Sequence, residues 1–121
     1  MKRFVLVCFA LAVFATTSIS AQSATANKAW VPFWNKFAAA VRTKKRDVIR
    51  GLAYSKFRSF APFWLQSLEQ NNLWSNFQDS INGGTNPYDR TGGHPWRFTK
   101  DNQYYFVFER GHWTFGGAYG D

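Results

Sequence analysis

Cysteine is nearly absent from this sequence, and its scarcity excludes several kinds of chemistry. Cys8, inside an apolar N-terminal stretch, is the only cysteine among the 121 residues. The chain therefore forms no internal disulfide, and beyond Cys8 it offers no thiol nucleophile and no cysteine metal ligand. The chain has only two histidines, His94 and His112, so few of the usual metal ligands are present. Neither a metal nor a cofactor is expected. A fold without such links depends on apolar packing.

Acidic residues are also scarce. The sequence has 7 Asp and Glu against 15 Lys and Arg, so its formal net charge is +8. The imbalance is concentrated in residues 28–58, where nine basic side chains accompany a single acid, Asp47. Such a segment is attracted to acidic envelope polymers or to anionic lipid headgroups, although the solvated face of a soluble basic protein has the same composition.

A long apolar run occurs only at the N-terminus, where the pattern is typical of a signal peptide. Lys2 and Arg3 precede the apolar stretch Phe4 to Ala15, and small residues follow as Ser-Ile-Ser-Ala, ending at 21, and as Ala-Thr-Ala, ending at 26. The sequence thus predicts a signal peptide over residues 1–26, with cleavage near 21 or 26. The apolar stretch is too short for a retained membrane helix, which needs about 20 such residues.

Residues 27–121 are then expected to form a single exported domain, either periplasmic or secreted. No transmembrane segment is predicted in this part of the chain. A location outside the cell argues against nucleic acid as a partner, and the sequence does not indicate an oligomeric state.

Aromatic residues make up 20% of the chain, and their spacing predicts helices. Apolar residues recur every three or four positions from Trp30 to Val41, with Pro32 in the first turn of the predicted helix. A short helix is predicted after Asp47, which can act as its N-cap. Helical spacing returns from Pro62 to Ile81, with an interruption at Asn71-Asn72.

β-Structure is predicted in two places. Leu52 to Phe60 has the composition of a strand with an irregularity, and Tyr104 to Tyr119 alternates as a hairpin with its turn at Arg110-Gly111-His112. Between them, Asn82 to Arg97 is dense in Gly, Pro and Asn and is expected to be a long connection. Together these elements predict an α+β fold, with N-terminal helices packed on a curved antiparallel sheet that ends in a C-terminal β-hairpin.

Three stretches resemble a known family: Phe33-Trp-Asn-Lys-Phe with Ala39-Ala-Val, then Arg46-Asp-Val-Ile-Arg-Gly-Leu, and the ending from Tyr105 to Asp121. They resemble small exported bacterial proteins of unknown function that look like relatives of the NTF2-like, cystatin-like α+β roll. The resemblance covers half of the predicted domain and implies a helical segment lying across a curved antiparallel sheet. That superfamily contains both enzymes and binding domains, so no catalytic residue follows from it.

Candidate catalytic residues lie in and after the long connection. His94 is preceded by Asp89 and followed by Asp101, so a histidine–carboxylate pair for general acid–base catalysis is one hypothesis. A metal site made of the same three residues lacks any recognised ligand spacing. His112, at the hairpin turn, is interpreted as a polar turn residue.

Candidate binding residues are aromatic. Tyr88 and Trp96 in the long connection could stack on a sugar or a peptide, or simply anchor the loop. A cleft between the first helix and the sheet would be lined by four further residues, namely Trp34, Phe37, Tyr105 and Trp113. The sequence thus favours a non-catalytic binding domain for a small ligand or an envelope component, with a small enzyme based on His94 as the alternative. Binding to an anionic membrane surface through the basic N-terminal third is a further alternative.

Overall fold

The computed structural model describes residues 24–89 and 95–119, with Asp89 described by its backbone alone. Within these residues, helix α1 covers residues 24–42 and is followed by three shorter helices: α2 (Arg46–Gly51), α3 (Ala61–Gln70) and α4 (Trp74–Asn82). A four-stranded antiparallel sheet follows in the order β1-β2-β3-β4: β1 (Thr85–Asp89), β2 (Pro95–Thr99), β3 (Tyr104–Glu109) and β4 (His112–Ala118). The predicted α+β class is confirmed.

Helix α1 extends further toward the N-terminus than the apolar spacing predicts. It is already helical at residue 24, so Pro32 lies inside the helix and not in its first turn. Ala26 is buried, and its carbonyl accepts a hydrogen bond of 2.7 Å from the indole N–H of Trp113. This bond attaches the early part of α1 to β4, which apolar periodicity alone does not reveal.

The predicted break in the second helical region is confirmed and separates α3 from α4. Asn72 has a left-handed backbone conformation, with φ of 57°. The following N–H, that of Leu73, donates to the carbonyl of Leu68 at 2.8 Å. This arrangement ends a helix by satisfying one of its last carbonyls, and asparagine tolerates the left-handed position better than most residues.

Helices α1, α3 and α4 pack on one face of the sheet, which we call the inner face. Phe106 of β3 contacts Phe37 of α1 edge-on, with 5.2 Å between ring centroids, and Tyr104 contacts Phe77 of α4 at 4.9 Å. The inner-face aromatic residues of β3 and β4 are all buried: Tyr104, Phe106, Phe108, Trp113 and Phe115. The core is therefore an aromatic layer between helices and sheet.

The predicted C-terminal hairpin is confirmed. Arg110 and Gly111 connect β3 to β4 with φ values of 50° and 82°. Two successive positive φ values give the two-residue turn whose twist matches that of a hairpin. The pairing shifts by one residue between Tyr105 and Phe106, which leaves Gly116 of β4 as a bulge.

The prediction of one long connection from Asn82 to Arg97 is wrong, because the segment contains β1 and the start of β2. Its prolines are compatible with strands at their positions. Pro87 lies in β1, at the edge of the described sheet, and Pro95 is the first residue of β2. Proline is tolerated at both places because no interior ladder hydrogen bond is lost.

The prediction of a strand from Leu52 to Phe60 is also wrong. Only Ala53 forms a β-bridge, parallel to Phe115 of β4. The Tyr54 N–H donates to the Phe115 carbonyl at 2.7 Å, and the Tyr54 carbonyl then accepts from the N–H of Phe57 at 2.8 Å. The chain therefore turns after the bridge, because the Tyr54 carbonyl bonds within the segment and not along the sheet.

Candidate functional site

The outer face of the sheet, opposite the helices, carries a cluster of aromatic rings. Side chains alternate between the two faces of a strand, so Tyr105 points away from the core that Tyr104 and Phe106 join. Two rings of β2 and one that follows β4 contact Tyr105, and a ring of β1 packs on Phe98 of β2. We call these five side chains the outer aromatic face: Tyr88, Trp96, Phe98, Tyr105 and Tyr119.

The rings of the outer aromatic face contact one another. Trp96 and Tyr105 are stacked, with centroids 4.9 Å apart and 12° between the ring planes. Phe98 packs edge-on against Tyr88 at 5.2 Å and against Tyr119 at 4.9 Å. Tyr88 is 52% exposed and Tyr119 is 57% exposed, whereas the other three side chains are half-buried. The result is a continuous apolar surface that remains in contact with solvent.

Two glycines of β4 allow aromatic rings to lie directly on the strand backbone. A Cβ atom on Gly116 would overlap the ring of Tyr105, and a Cβ atom on Gly117 would lie 2.9 Å from the ring of Phe57. Gly117 also has a φ of 96°, which disfavours other residues. The position of Tyr105 therefore depends on the missing side chain at the Gly116 bulge.

An open recess of about 280 Å³ adjoins the outer aromatic face on the side of Tyr105. The segment between α2 and α3 forms its other wall and is attached to β3 by Glu109, whose carboxylate accepts from the Ser55 N–H and hydroxyl at 3.2 Å each. Burial raises the pKa of the Tyr105 phenol, and the neighbouring Tyr54 raises it further. The recess is lined by Tyr54, Lys56, Phe57, Phe60, Trp64 and Tyr105, together with two small residues of β4.

The structure divides the six predicted binding residues between the two faces of the sheet. Three lie together on the outer aromatic face: Tyr88, Trp96 and Tyr105. The other three lie on the helix side: Trp34, Phe37 and Trp113. Phe37 has no exposed surface and packs on Phe106, so these residues fill the helix–sheet interface and do not line a cleft with Tyr105. The reason is strand alternation, which turns Phe106 and not Tyr105 toward α1.

The histidine of the predicted acid–base pair lies outside the described residues. His94 and the side chain of Asp89 both fall there, so that pair stays a prediction. His112 is exposed at the hairpin turn, where its Nδ1 lies 3.2 Å from the carbonyl oxygen of Arg110. This position agrees with the interpretation of His112 as a turn residue.

Asp101, the third candidate catalytic residue, forms hydrogen bonds that connect a helix to the sheet. Its Oδ1 accepts from the hydroxyls of Thr99 at 2.6 Å and Ser80 at 2.8 Å, and from the N–H of Gln103 at 3.2 Å. Desolvation raises the pKa of Asp101, but these hydrogen bonds outweigh it and leave the pKa below its ordinary value. The carboxylate thus joins α4 to the β2–β3 turn, and its lowered pKa makes it a weak base.

Two residues of the outer aromatic face escaped the sequence analysis. Phe98 lies two residues after Trp96, a spacing that places both on one face once β2 is recognised as a strand. Tyr119 is harder to find, because strict alternation from Trp113 would place it on the inner face. The bulge at Gly116 reverses the alternation and turns Tyr119 outward.

Comparison with protein-family models, with curated proteins and with solved structures finds no match for this chain. Only the geometry and chemistry of its own residues bear on its function. Within residues 24–89 and 95–119, no three His, Cys, Asp or Glu side chains come close enough together to hold a metal ion. No helix in the same ranges is both long enough and apolar enough to cross a bilayer.

Proposed function

We propose that this protein is a non-catalytic binding domain that holds sugar rings of an envelope polysaccharide on its outer aromatic face. The observation that carries the proposal is the parallel stack of Trp96 on Tyr105, extended by Phe98 and by two tyrosines that are about half exposed. The five rings form one apolar surface on the side of the sheet away from the helices. Contiguous exposed apolar patches of this kind mark binding sites in soluble proteins.

The polar groups around the rings favour a carbohydrate over a purely apolar ligand. The exposed Asn86 lies two residues before Tyr88 on the same face of β1, and it pairs with Phe98 of β2. Phenol hydroxyls stand at the edges of three rings, and burial raises the pKa of the Tyr105 phenol above its ordinary value, so it is a hydrogen-bond donor over an even wider pH range. A sugar offers C–H groups to an aromatic ring and hydroxyl groups to the polar atoms around it, so it matches this mixture.

The shape of the surface favours a polymer over an isolated small molecule. Small-molecule sites are concave and enclose most of their ligand, whereas the outer aromatic face is open and its adjoining recess measures about 280 Å³. A polymer compensates for shallow contacts by making several of them along its length. The proposal takes the chain to be exported, as the N-terminal residues predict, and both export and the NTF2-like resemblance remain predictions.

Co-sedimentation with insoluble polysaccharides tests the proposal. The panel consists of purified peptidoglycan, chitin and cellulose, and the variants are Tyr88→Ala and Trp96→Ala. Each ring contributes roughly 1 kcal/mol of contact, so we expect each variant to bind about fivefold to tenfold more weakly to the polymer that retains the unaltered protein. Thermal melts show which variants remain folded, and Tyr88 is the safer position because half of its side chain is already exposed.

Phe63→Ala provides the matched control. Phe63 is an exposed aromatic residue of α3 that does not contact the outer aromatic face, so its loss should leave polysaccharide binding unchanged. Two results would overturn the proposal. One is that none of the three polymers retains the unaltered protein. The other is that Tyr88→Ala and Trp96→Ala are retained as strongly as Phe63→Ala.

A further inference from the structure

A second exposed aromatic surface lies at the beginning of α3, across the recess from Tyr105 of the outer aromatic face. Phe60 is 58% exposed and Phe63 is 68% exposed, which makes Phe63 the most exposed large apolar side chain among the described residues. The buried face of α3 consists of Ala61, Leu65 and Leu68, so Phe63 adds nothing to the core. Two exposed phenylalanines three positions apart form an apolar patch of the kind that marks an interaction surface.

Basic side chains lie on both sides of α3 at its beginning. Arg46, Asp47 and Arg50 of α2 form one wall of a shallow depression of about 190 Å³, and Pro62 and Leu65 of α3 form the other wall. On the other side of the rings, Lys56 shares the larger recess with Phe60. Three cations thus flank the beginning of α3: Arg46, Arg50 and Lys56.

Two carboxylates lie near these cations, those of Asp47 and Glu109, and each already has a partner within the protein. Asp47 is the one acidic residue between positions 42 and 68, and its carboxylate pairs with Arg50 at 3.5 Å across two exposed side chains. An exposed pair of this kind is weak and remains open to exchange with other anions. We call Phe60, Phe63 and these three cations the basic aromatic surface.

We propose that the basic aromatic surface docks this protein on an anionic lipid bilayer. Phe60 and Phe63 enter the boundary between headgroups and acyl chains, while the three surrounding cations contact lipid phosphates. Peripheral proteins attach to membranes by this combination of apolar area and attraction to anionic lipid. The proposal concerns a different surface from the outer aromatic face, and it does not depend on polysaccharide binding.

The chemistry of the surface favours a bilayer over the other partners that could cover it. A soluble polyanion would satisfy the cations but would gain little from two exposed phenyl rings. A second copy of the chain in a two-fold contact would bring the same positive surfaces together, and like charges oppose that contact. A bilayer with anionic headgroups satisfies both features at once.

Vesicle co-sedimentation tests the proposal with protein isolated from cells that produce the full chain. The vesicles contain either equal parts of phosphatidylglycerol and phosphatidylcholine or phosphatidylcholine alone, each at low and at high salt. We expect binding to the anionic vesicles at low salt and at least tenfold weaker binding at high salt or on the neutral vesicles, because screening removes the electrostatic part. Phe63→Ala and the double variant Arg46→Gln/Arg50→Gln should each weaken binding to anionic vesicles about tenfold.

Two control variants show whether the loss is specific to this surface. Val31→Ala removes an equally exposed apolar side chain from α1, and Tyr88→Ala removes a ring from the outer aromatic face. Both should bind the vesicles as the unaltered protein does. Phe63→Trp supplies an independent signal, because an indole that enters the bilayer shifts its fluorescence emission to shorter wavelength.

The outcomes are decisive in both directions. Loss with Phe63→Ala and with the arginine pair, together with an emission shift of Phe63→Trp, supports docking on lipid. Three results overturn it: no binding to anionic vesicles at low salt, equal binding by Phe63→Ala and Val31→Ala, or no emission shift of Phe63→Trp on bound vesicles. The last measurement is binding to soluble polyphosphate. If the protein binds polyphosphate but not vesicles, and Phe63→Ala binds polyphosphate equally well, the surface binds a polyanion and not lipid.

Discussion

The two faces of the sheet use the same kind of residue for different purposes. On the inner face, Phe106 and Phe115 have no exposed surface, and three helices cover them. On the outer face, Tyr88 of β1 and Tyr119, directly after β4, keep about half of their surface in contact with solvent. Both faces carry aromatic rings, but helices cover only the inner face.

This comparison separates the part of the aromatic content that stabilises the fold from the part that is available for binding. A ring that loses all its contact with water contributes its full transfer free energy to folding, whereas a half-exposed ring contributes much less. The remaining transfer free energy of a half-exposed ring becomes available for binding when a ligand covers the ring. Truncation of a ring on the inner face should therefore lower mainly the stability of the fold, whereas truncation on the outer face should weaken mainly ligand binding.

Truncation of an inner ring gives the largest expected effect on stability. Phe106→Ala removes a fully buried ring that packs between Phe37 and Phe115, and we expect it to lower the free energy of unfolding by about 3–5 kcal/mol. Tyr88→Ala on the outer face should lower it by less than about 1 kcal/mol. Urea denaturation of the two variants measures both values. Equal losses would mean that the outer face is also part of the core.

The Gly116 bulge gives the next largest effect, because it connects the backbone to the outer face. Gly116→Ala places a methyl group where the Tyr105 ring lies, and we expect a loss of about 1–3 kcal/mol. Gly51→Ala is the control, since a Cβ atom there has no neighbour within 4 Å, and alanine at the end of α2 should be neutral or slightly stabilising.

The double variant Gly116→Ala/Tyr105→Ala shows whether the ring is the cause. If Tyr105 produces the overlap, the loss in the double variant is clearly smaller than the sum of the two single losses. Additive losses would place the strain in the backbone of the bulge instead. Either result shows how strongly the backbone of β4 fixes the position of the Tyr105 ring.

The sequence predicts the inner face better than the outer one. Helical spacing identifies the buried residues of α1, and alternation identifies the hairpin, because both patterns reflect burial against one core. Pro87 and Pro95 conceal β1 and β2, since proline indicates a loop unless the strand lies at an edge or begins there. With β2 hidden, the pairing of Trp96 with Phe98 on one face could not be deduced.

Strand alternation also explains why the four residues proposed to line a cleft lie on two different faces of the sheet. β3 has aromatic residues at four of its first five positions, so its sequence does not indicate which set faces the helices. The choice depends on register and on the bulge opposite Tyr105, and both are set by tertiary pairing. The predicted site therefore mixes residues from the two faces.

Two buried tryptophans give a smaller and more selective test of the inner face. The indole N–H of Trp113 donates to the Ala26 carbonyl at 2.7 Å, whereas that of Trp74 has no acceptor among the described residues. Trp113→Phe should therefore cost about 1–2 kcal/mol more than Trp74→Phe, because only the first loses a hydrogen bond and leaves a buried carbonyl partner. Thermal or urea denaturation measures the difference.

The same hydrogen bond bears on the two predicted cleavage positions. A chain that begins at Gln22 retains Ala26, and a chain that begins at Asn27 lacks it and leaves the buried Trp113 N–H without that acceptor. We expect the longer chain to be more stable by about 1–3 kcal/mol. Equal stability of the two chains would show that the early part of α1 does not contribute to the inner face.

The smallest expected effect concerns the polar contact that holds α4 to the β2–β3 turn at the inner face. The hydrogen bonds of Asp101 lower its pKa in the folded protein, so the stabilisation is complete above the unfolded pKa of about 4 and is lost as pH falls through the folded pKa. Asp101→Asn should cost roughly 1 kcal/mol or less at neutral pH, because the carboxylate is largely exposed. The gap between the two proteins should close once the pH falls below the lowered folded pKa of Asp101. Ser80→Ala removes one of the donors to Asp101 and should show part of the same pH dependence. If the stability difference between Asp101→Asn and the unaltered protein stays constant with pH, the loss comes from packing and not from the charged hydrogen bonds.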